Sequence, residues 1–421
     1  MRILFVSNPP RTVYKYMFTI AWALRTAGHE VRFASQPEFV DEVLQAGLTA
    51  VPVGHSRDMH KVAARTRGVE NERAGIPAPY DVYEEPEKAT WEHMVSTMAN
   101  EGIEWHKYGN FPIISGLVEF ARYWEPDLVV WDPLSFAGAI AAKACGAAHA
   151  RLLFGVDVFG KVRQQFVKLR DAQPADQRRD PLAEWMGAYA RKYGFDFTED
   201  MFTGDFTLDQ FPLSWQDEAD LEYVRTQYIA YNGASVVPKW LQTPPEKPRI
   251  AITMGNSAVE VYRGYNVPLS DLLDSVADLD VEVVATVAAS QQPLLGKTPD
   301  NARIVDFAPM HALAPTCSVV VHHAGAATMG TTARHPVPQL ALPYHYDQPT
   351  LGKMLEKQGA GLSIHVSEVT PEKFRTAIDR LLTEQVFQDR AVALRDEIFA
   401  LPTPNQAVPR IEELVVKHRA R

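Results

Sequence analysis

At 421 residues the chain exceeds what one hydrophobic core serves, so two domains of roughly 200 residues each are expected. An apolar fraction of 46% and a charged fraction of 22% fit a soluble globular protein, and a net charge of −10 argues against nucleic acid and anionic membranes as partners. Only Cys145 and Cys317 occur, no stretch reaches the ~20 apolar residues of a membrane span, and the first apolar run is too short for a signal segment, which together predict a cytoplasmic protein.

In chain order, Ile3 to Val6 reads as a buried strand and Tyr16 to Ala27 as a helix stopped at Gly28. Val31 to Ala34 is a strand, Glu38 to Ala46 a helix stopped at Gly47, and Leu48 to Val53 a third strand. This spacing predicts parallel βαβ units. From His55 to His106 the pattern gives way to a polar, proline-containing stretch of irregular structure, suited to a lid or partner surface. A helix up to about Tyr123, the strand Leu128 to Trp131, a small-residue helix from Ser135 to Cys145 and the strand Ala150 to Phe154 restore the alternation. A second polar insertion, Gln173 to Asp220, contains a helix from Pro181 to Tyr193.

Proline-rich 237–248 suits an interdomain linker between a first domain over 1–236 and a second over 249–400. Strands are expected at Arg249 to Met254, Val281 to Val287, Arg303 to Phe307, Ser318 to Val321 and Gln339 to Leu342. The remaining 401–421 is expected to form a helix returning to the first domain. The fold class is therefore α/β, two Rossmann-like domains facing a cleft.

The run from Val319 to Pro349 concentrates the chemistry. Strand Ser318 to Val321 ends at His322-His323, the turn Ala324-Gly325-Ala326-Ala327-Thr328 opens a helix, and Pro338 to Pro343 leads to Asp347-Gln348. Small residues let backbone N–H groups approach an anion, and a helix N-terminus favours negative charge. His323 with the turn residues Gly325, Ala326, Ala327 and Thr328 fits a phosphate, whereas His322 reads as a structural neighbour. Asp347 and Gln348, in a loop at a strand's carboxyl end, fit sugar hydroxyls.

These residues resemble the nucleotide-sugar signature of GT-B glycosyltransferases, in the branch that decorates macrolides, anthracyclines and related polyketides. The family's HHGG-x-GT stands here as His322 to Thr328 with alanine at 324 and 327 in place of glycine, a mild change only where φ is negative. The VPQL-x-LP and DQ elements are intact. The resemblance spans nearly the whole chain and implies further roles: Gly255 and Ser257 for the diphosphate, and Phe307, Ala308 and Pro309 for the nucleobase. It also implies metal-free chemistry with no cofactor, the donor being a TDP-sugar rather than a UDP-sugar. An imidazole and helix-terminal N–H groups would stabilise the leaving diphosphate.

Relatives carry a base histidine after the first strand. Aligning Ile20 to Leu24 with the family's PLAWAL helix puts Val13 there, and no histidine precedes His29. Asp132, at the end of its strand, is a substitute base if burial raises its pKa or the acceptor is acidic. Equally, Asp132 fits as a cap of the following helix, where Pro133 suits the first position. Val13 and Tyr14 fall on the acceptor side, and Tyr80 to Glu92 with Tyr108 to Ile114 are candidates for the acceptor wall.

The expected activity is inverting transfer of a deoxysugar from a TDP-sugar to a polyketide-type aglycone. The alternatives are the same fold attacking through carbon or nitrogen, and a catalytically degenerate scaffold. Relatives in this branch also imply a cytochrome-like auxiliary protein, for which 173–220 is a candidate surface, and a homodimer remains open.

Overall fold

Apolar runs without alternation signal strands covered on both faces. The computed structural model, which describes residues 1–7, 11–56, 75–255, 259 and 264–419, gathers them into two all-parallel sheets. The first holds β1 (Arg2–Val6), β2 (Glu30–Ser35), β3 (Thr49–Pro52), β4 (Leu128–Trp131), β5 (Ala148–Leu152), β6 (Phe206–Asp209) and β7 (Tyr223–Arg225), in the order β3-β2-β1-β4-β5-β6-β7. The second holds β8 (Arg249–Thr253), β9 (Glu282–Thr286), β10 (Ala302–Val305), β11 (Val319–His322), β12 (Gln339–Ala341) and β13 (Gly361–Ser363), ordered β10-β9-β8-β11-β12-β13. Strand order reverses between β1 and β4 in one sheet and between β8 and β11 in the other. Ligands of open α/β sheets bind at the carboxyl ends of such strand pairs.

Seven helices matter below: α1 (Arg11–Thr26), α2 (Phe136–Cys145), α3 (Val158–Asp171), α4 (Ala326–Ala333), α5 (Gln348–Gln358), α6 (Gln385–Ala400) and α7 (Pro404–His418). α7 opens with a capping box between Thr403 and Gln406, and its Ile411, Leu414 and Val415 join the core of the first domain together with Leu394 and Ile398 of α6. The first-domain core also takes in Ala324, Ala326 and Met329 around the start of α4, so the two halves share packed surface where the donor turn lies.

Several elements differ from expectation. α1 begins at Arg11 rather than Tyr16, which puts Val13 in its first turn. Part of the 55–106 stretch is helical, at Trp91–Thr97 and Ile103–Asn110, with Thr90 capping the first piece through the His93 N–H; 57–74 lies outside the described residues. β6 and β7 were hidden by their polarity. Thr207 and Asp209 of β6 are fully buried because Arg151 donates to Thr207 and Arg225 pairs with Asp209 at 2.7 Å. β13 is only three residues long, too short for its pattern to register.

Candidate active site

β8 and β11 run side by side in register, Thr253 opposite His322. The next residues, Met254-Gly255 and His323, therefore leave the same sheet edge together. His322 is fully buried. Its Nδ1 accepts from the Ala324 N–H at 3.0 Å and its Nε2 bonds the Gln339 amide oxygen at 2.8 Å, so it ties the turn to β12. Burial pushes its pKa down to about 3, which leaves it neutral.

His323 sits between two glycines. A Cβ at Gly255 would come within 2.6 Å of its Cε1, and one at Gly325 within 2.3 Å of its Nε2. Gly255 also has φ +69°, where L side chains are strained. The imidazole thus lies over the start of α4, whose N-cap, Gly325, supplies no side-chain cap. Burial pushes the His323 pKa down to about 4, against the pull of the Thr253 backbone and with His345 adding to the fall, while its Nδ1 makes no well-formed hydrogen bond among the described residues. A neutral imidazole beside uncapped helix N–H groups is a donor set for a diphosphate, whose charge would draw a proton onto the ring.

The two alanines in the turn have different consequences. Ala327 lies within α4, where alanine is the best helix former. Ala324 has φ +60°, a conformation that costs an L residue roughly 1–2 kcal/mol. Thr328 lies in the first turn of α4, its N–H bonded to the Gly325 carbonyl at 2.9 Å. Ser257, the other diphosphate candidate, is outside the described residues.

Phe307 follows β10 and is 48% exposed, which excludes a core role, while the next residues, Ala308 and Pro309, are buried. Asp347 begins α5 at the far side, and its Oδ2 would lie 2.1 Å from a Cβ at Gly155, on the loop after β5. Burial raises its pKa to about 7, against the opposing pull of the Val156 N–H. The Gln348 amide oxygen accepts from the Tyr344 and His345 N–H groups at 3.2 and 3.0 Å and so shapes this loop. Across the strand order, Phe307, then Gly255 and His323, then Asp347 follow β10, the β8–β11 pair and β12 along one edge. At about 4.8 Å per strand this spans roughly 19 Å.

The opposing half is less open. Val13 is 4% exposed. Tyr14 is fully buried, its ring stacked on Phe33 and Phe39 and its hydroxyl donating to the Ser7 carbonyl at 3.0 Å. Both placements differ from an acceptor-facing role, because the first turn of α1 turns these side chains into the core. Tyr16, overlooked in the sequence as an ordinary helix residue, is buried as well but lies where it meets Ala327 and Asp347 of the second domain. Burial, then the charges of Tyr228 and Asp347, hold its phenol well above the ordinary value while the Ala327 N–H pulls it back.

Asp132 is 1% exposed. Its Oδ1 accepts from the Leu134 N–H at 2.9 Å and its Oδ2 from the Ser135 hydroxyl at 2.5 Å, so the carboxylate closes the turn leading into α2. Around the candidate acceptor wall, Tyr80 bonds His106 at 2.5 Å and packs edge-on to Phe159, with ring centroids 4.7 Å apart. Burial lowers the His106 pKa to about 3. A cavity of about 600 Å³ lies along the seam between Tyr83, Gln216 and Asp217 on one side and Thr350, Lys353 and Lys357 of α5 on the other; none of the donor-turn residues lines it. His149, Asp200 and Asp205 offer ligand atoms within 4.8 Å of one another, but at the amino end of β5, where Lys143 already pairs with Asp200 at 3.0 Å. No helix among the described residues is long and apolar enough to cross a membrane.

A donor turn at one switch point, facing a second Rossmann-like half across a seam, is the build of the GT-B glycosyltransferases, and this enzyme is one of them. The chain belongs to the erythromycin biosynthesis protein CIII-like family, whose N-terminal domain matches residues 22–255 and whose C-terminal domain matches 270–414. It is 43% identical to the 10-deoxymethynolide desosaminyltransferase of Streptomyces venezuelae, over all of this chain and 98% of that one. Identity to the aclacinomycin-T 2-deoxy-L-fucose transferase of Streptomyces galilaeus is 40%, over all of this chain and 97% of the relative. Among solved structures, glycosyltransferase VinC in complex with dTDP superposes with a TM-score of 0.88 at 36% identity, covering 99% of this chain and 100% of VinC. The spinosyn forosaminyltransferase SpnP gives 0.83 at 35%, covering 99% of each.

Proposed function

We propose that this enzyme transfers a deoxysugar from a TDP-sugar to a polyketide-type aglycone, with inversion and without a metal ion. The observation that carries the reading is the order along the second sheet's edge: an exposed aromatic after β10, the glycine-flanked His323 at the β8–β11 switch point, and Asp347 after β12. That order matches base, diphosphate and sugar. The named activities of the relatives and the dTDP bound in VinC support the choice of nucleotide and sugar class. His323 and the N–H groups of α4 stabilise the departing diphosphate electrostatically. Inversion follows from a single in-line attack from the opposite face.

Val13 in place of the usual base, and a capping Asp132, favour a second reading in which the nucleophile needs little base assistance. A phenol, an electron-rich ring carbon or an amine fits. Release of TDP from TDP-sugar donors, measured with and without aglycones, tests the first reading: acceptor-dependent release is expected, and release indifferent to acceptor contradicts it. Acid stability of the product distinguishes a carbon linkage from an oxygen one.

A further inference from the structure

Tyr346 lies in the loop between β12 and α5, immediately before Asp347. Its backbone is in the left-handed region at φ +52°, shared by Glu125 and Ala324 alone among described non-glycine residues. The side chain does not stay with its own domain. It packs against the core of the first domain, its ring 6.4 Å from Phe159, the residue that also contacts Tyr80 of the candidate acceptor wall. Its hydroxyl oxygen is buried and has no hydrogen-bond partner among the described residues. Burial, and after it the charges of Asp347, Tyr80 and Asp157, hold the phenol well above its ordinary value, so it keeps its proton and can donate.

Phenylalanine would fill this space without stranding a polar atom, and glycine would occupy the backbone conformation without strain. A tyrosine that satisfies neither demand, next to the residue placed on the sugar, is explained by a partner that arrives with the substrate. We propose that Tyr346 is a specificity-determining residue for the acceptor: it reaches from the donor-side loop across the seam and donates its hydroxyl proton to a hydroxyl or keto oxygen of the bound aglycone. Consecutive residues of one loop then hold the two reactants, Asp347 the sugar and Tyr346 the aglycone. This assignment rests on the sugar-transfer reading above.

The test uses the full chain and its Tyr346→Phe variant, with TDP and three aglycones as probes: 10-deoxymethynolide, tylactone and aklavinone. Calorimetry gives the dissociation constants, and steady-state transfer gives acceptor KM and kcat. For whichever aglycone the parent binds best, the variant should bind about tenfold more weakly and show a similar rise in acceptor KM, as expected for one lost hydrogen bond. Its TDP affinity and kcat should stay within about threefold, since nothing touching the donor has changed. Unchanged aglycone affinity, or an equal loss of TDP affinity, overturns the assignment. A parent that binds TDP but no aglycone removes the acceptor class and this assignment together, whereas a parent that fails to bind TDP breaks the donor reading itself.

Discussion

The two halves of the molecule have similar sheets and are built in opposite ways around the cleft. The donor half draws most of its candidate site from one continuous stretch, β11 to the start of α5, with Gly255 added by the neighbouring strand. The opposing half offers no such stretch: the residues that face the second domain or the candidate acceptor wall, such as Tyr16, Tyr80 and Gly155, are scattered over more than a hundred residues. A site written in one stretch tolerates little change, because each residue serves as both backbone and ligand. A scattered site can change its occupant by exchanging single side chains, which suits a family whose members act on different aglycones.

Substitutions can sharpen this contrast. Asp347→Asn should have the largest effect: a 10- to 100-fold fall in kcat/KM for the sugar donor, the value of about 1.5–3 kcal/mol for a hydrogen bond to a charged group, with TDP affinity unchanged. The same variant reports on burial. Because the folded-state pKa of Asp347 is raised to about 7, the parent is most stable when this carboxyl is protonated and loses stability as pH rises through that value. Melting curves from pH 5 to 9 should therefore show the variant gaining on the parent by at least about 1 kcal/mol.

Gly325→Ala comes next. Its φ of −65° accepts alanine, so the first thing the added Cβ meets is the His323 imidazole, 2.3 Å away. TDP binding should weaken about tenfold with no loss of fold stability by thermal melting. Asp132→Asn sharpens the acceptor side. If the carboxylate serves the turn, stability should fall by about 1 kcal/mol and kcat by less than about tenfold; a general base would instead cost at least about 100-fold. The smallest effect belongs to Ala324→Gly, which relieves the φ of +60° and should stabilise by about 0.5–1 kcal/mol after the greater freedom of the unfolded chain is counted.

The same contrast explains what was legible in the sequence. The parallel strands near the turn, the helix opening after Gly325 and the place of His322 and His323 at the end of β11 follow from local pattern, because they lie within a few residues of each other. Tyr14 and Tyr16 could not be separated that way. Both rings are buried, but one turn of α1 decides which packs on Phe33 and Phe39 and which on Phe211 and Tyr228, and the helix starts five residues earlier than its apolar pattern implies. Gly155 and Tyr346 owe their positions to contact between the domains, which no periodicity records. β6 was hidden because arginines of the two neighbouring strands satisfy its polar residues.

The most direct test of the account is TDP binding to the parent and to His323→Ala, measured at pH 6 by calorimetry in two buffers of different ionisation enthalpy. With its pKa near 4 the free imidazole is neutral at that pH. TDP binding should take up part of a proton in the parent, and the variant should bind at least about tenfold more weakly with no uptake. Equal affinity and equal proton uptake in the two proteins would contradict the placement of His323 on the diphosphate.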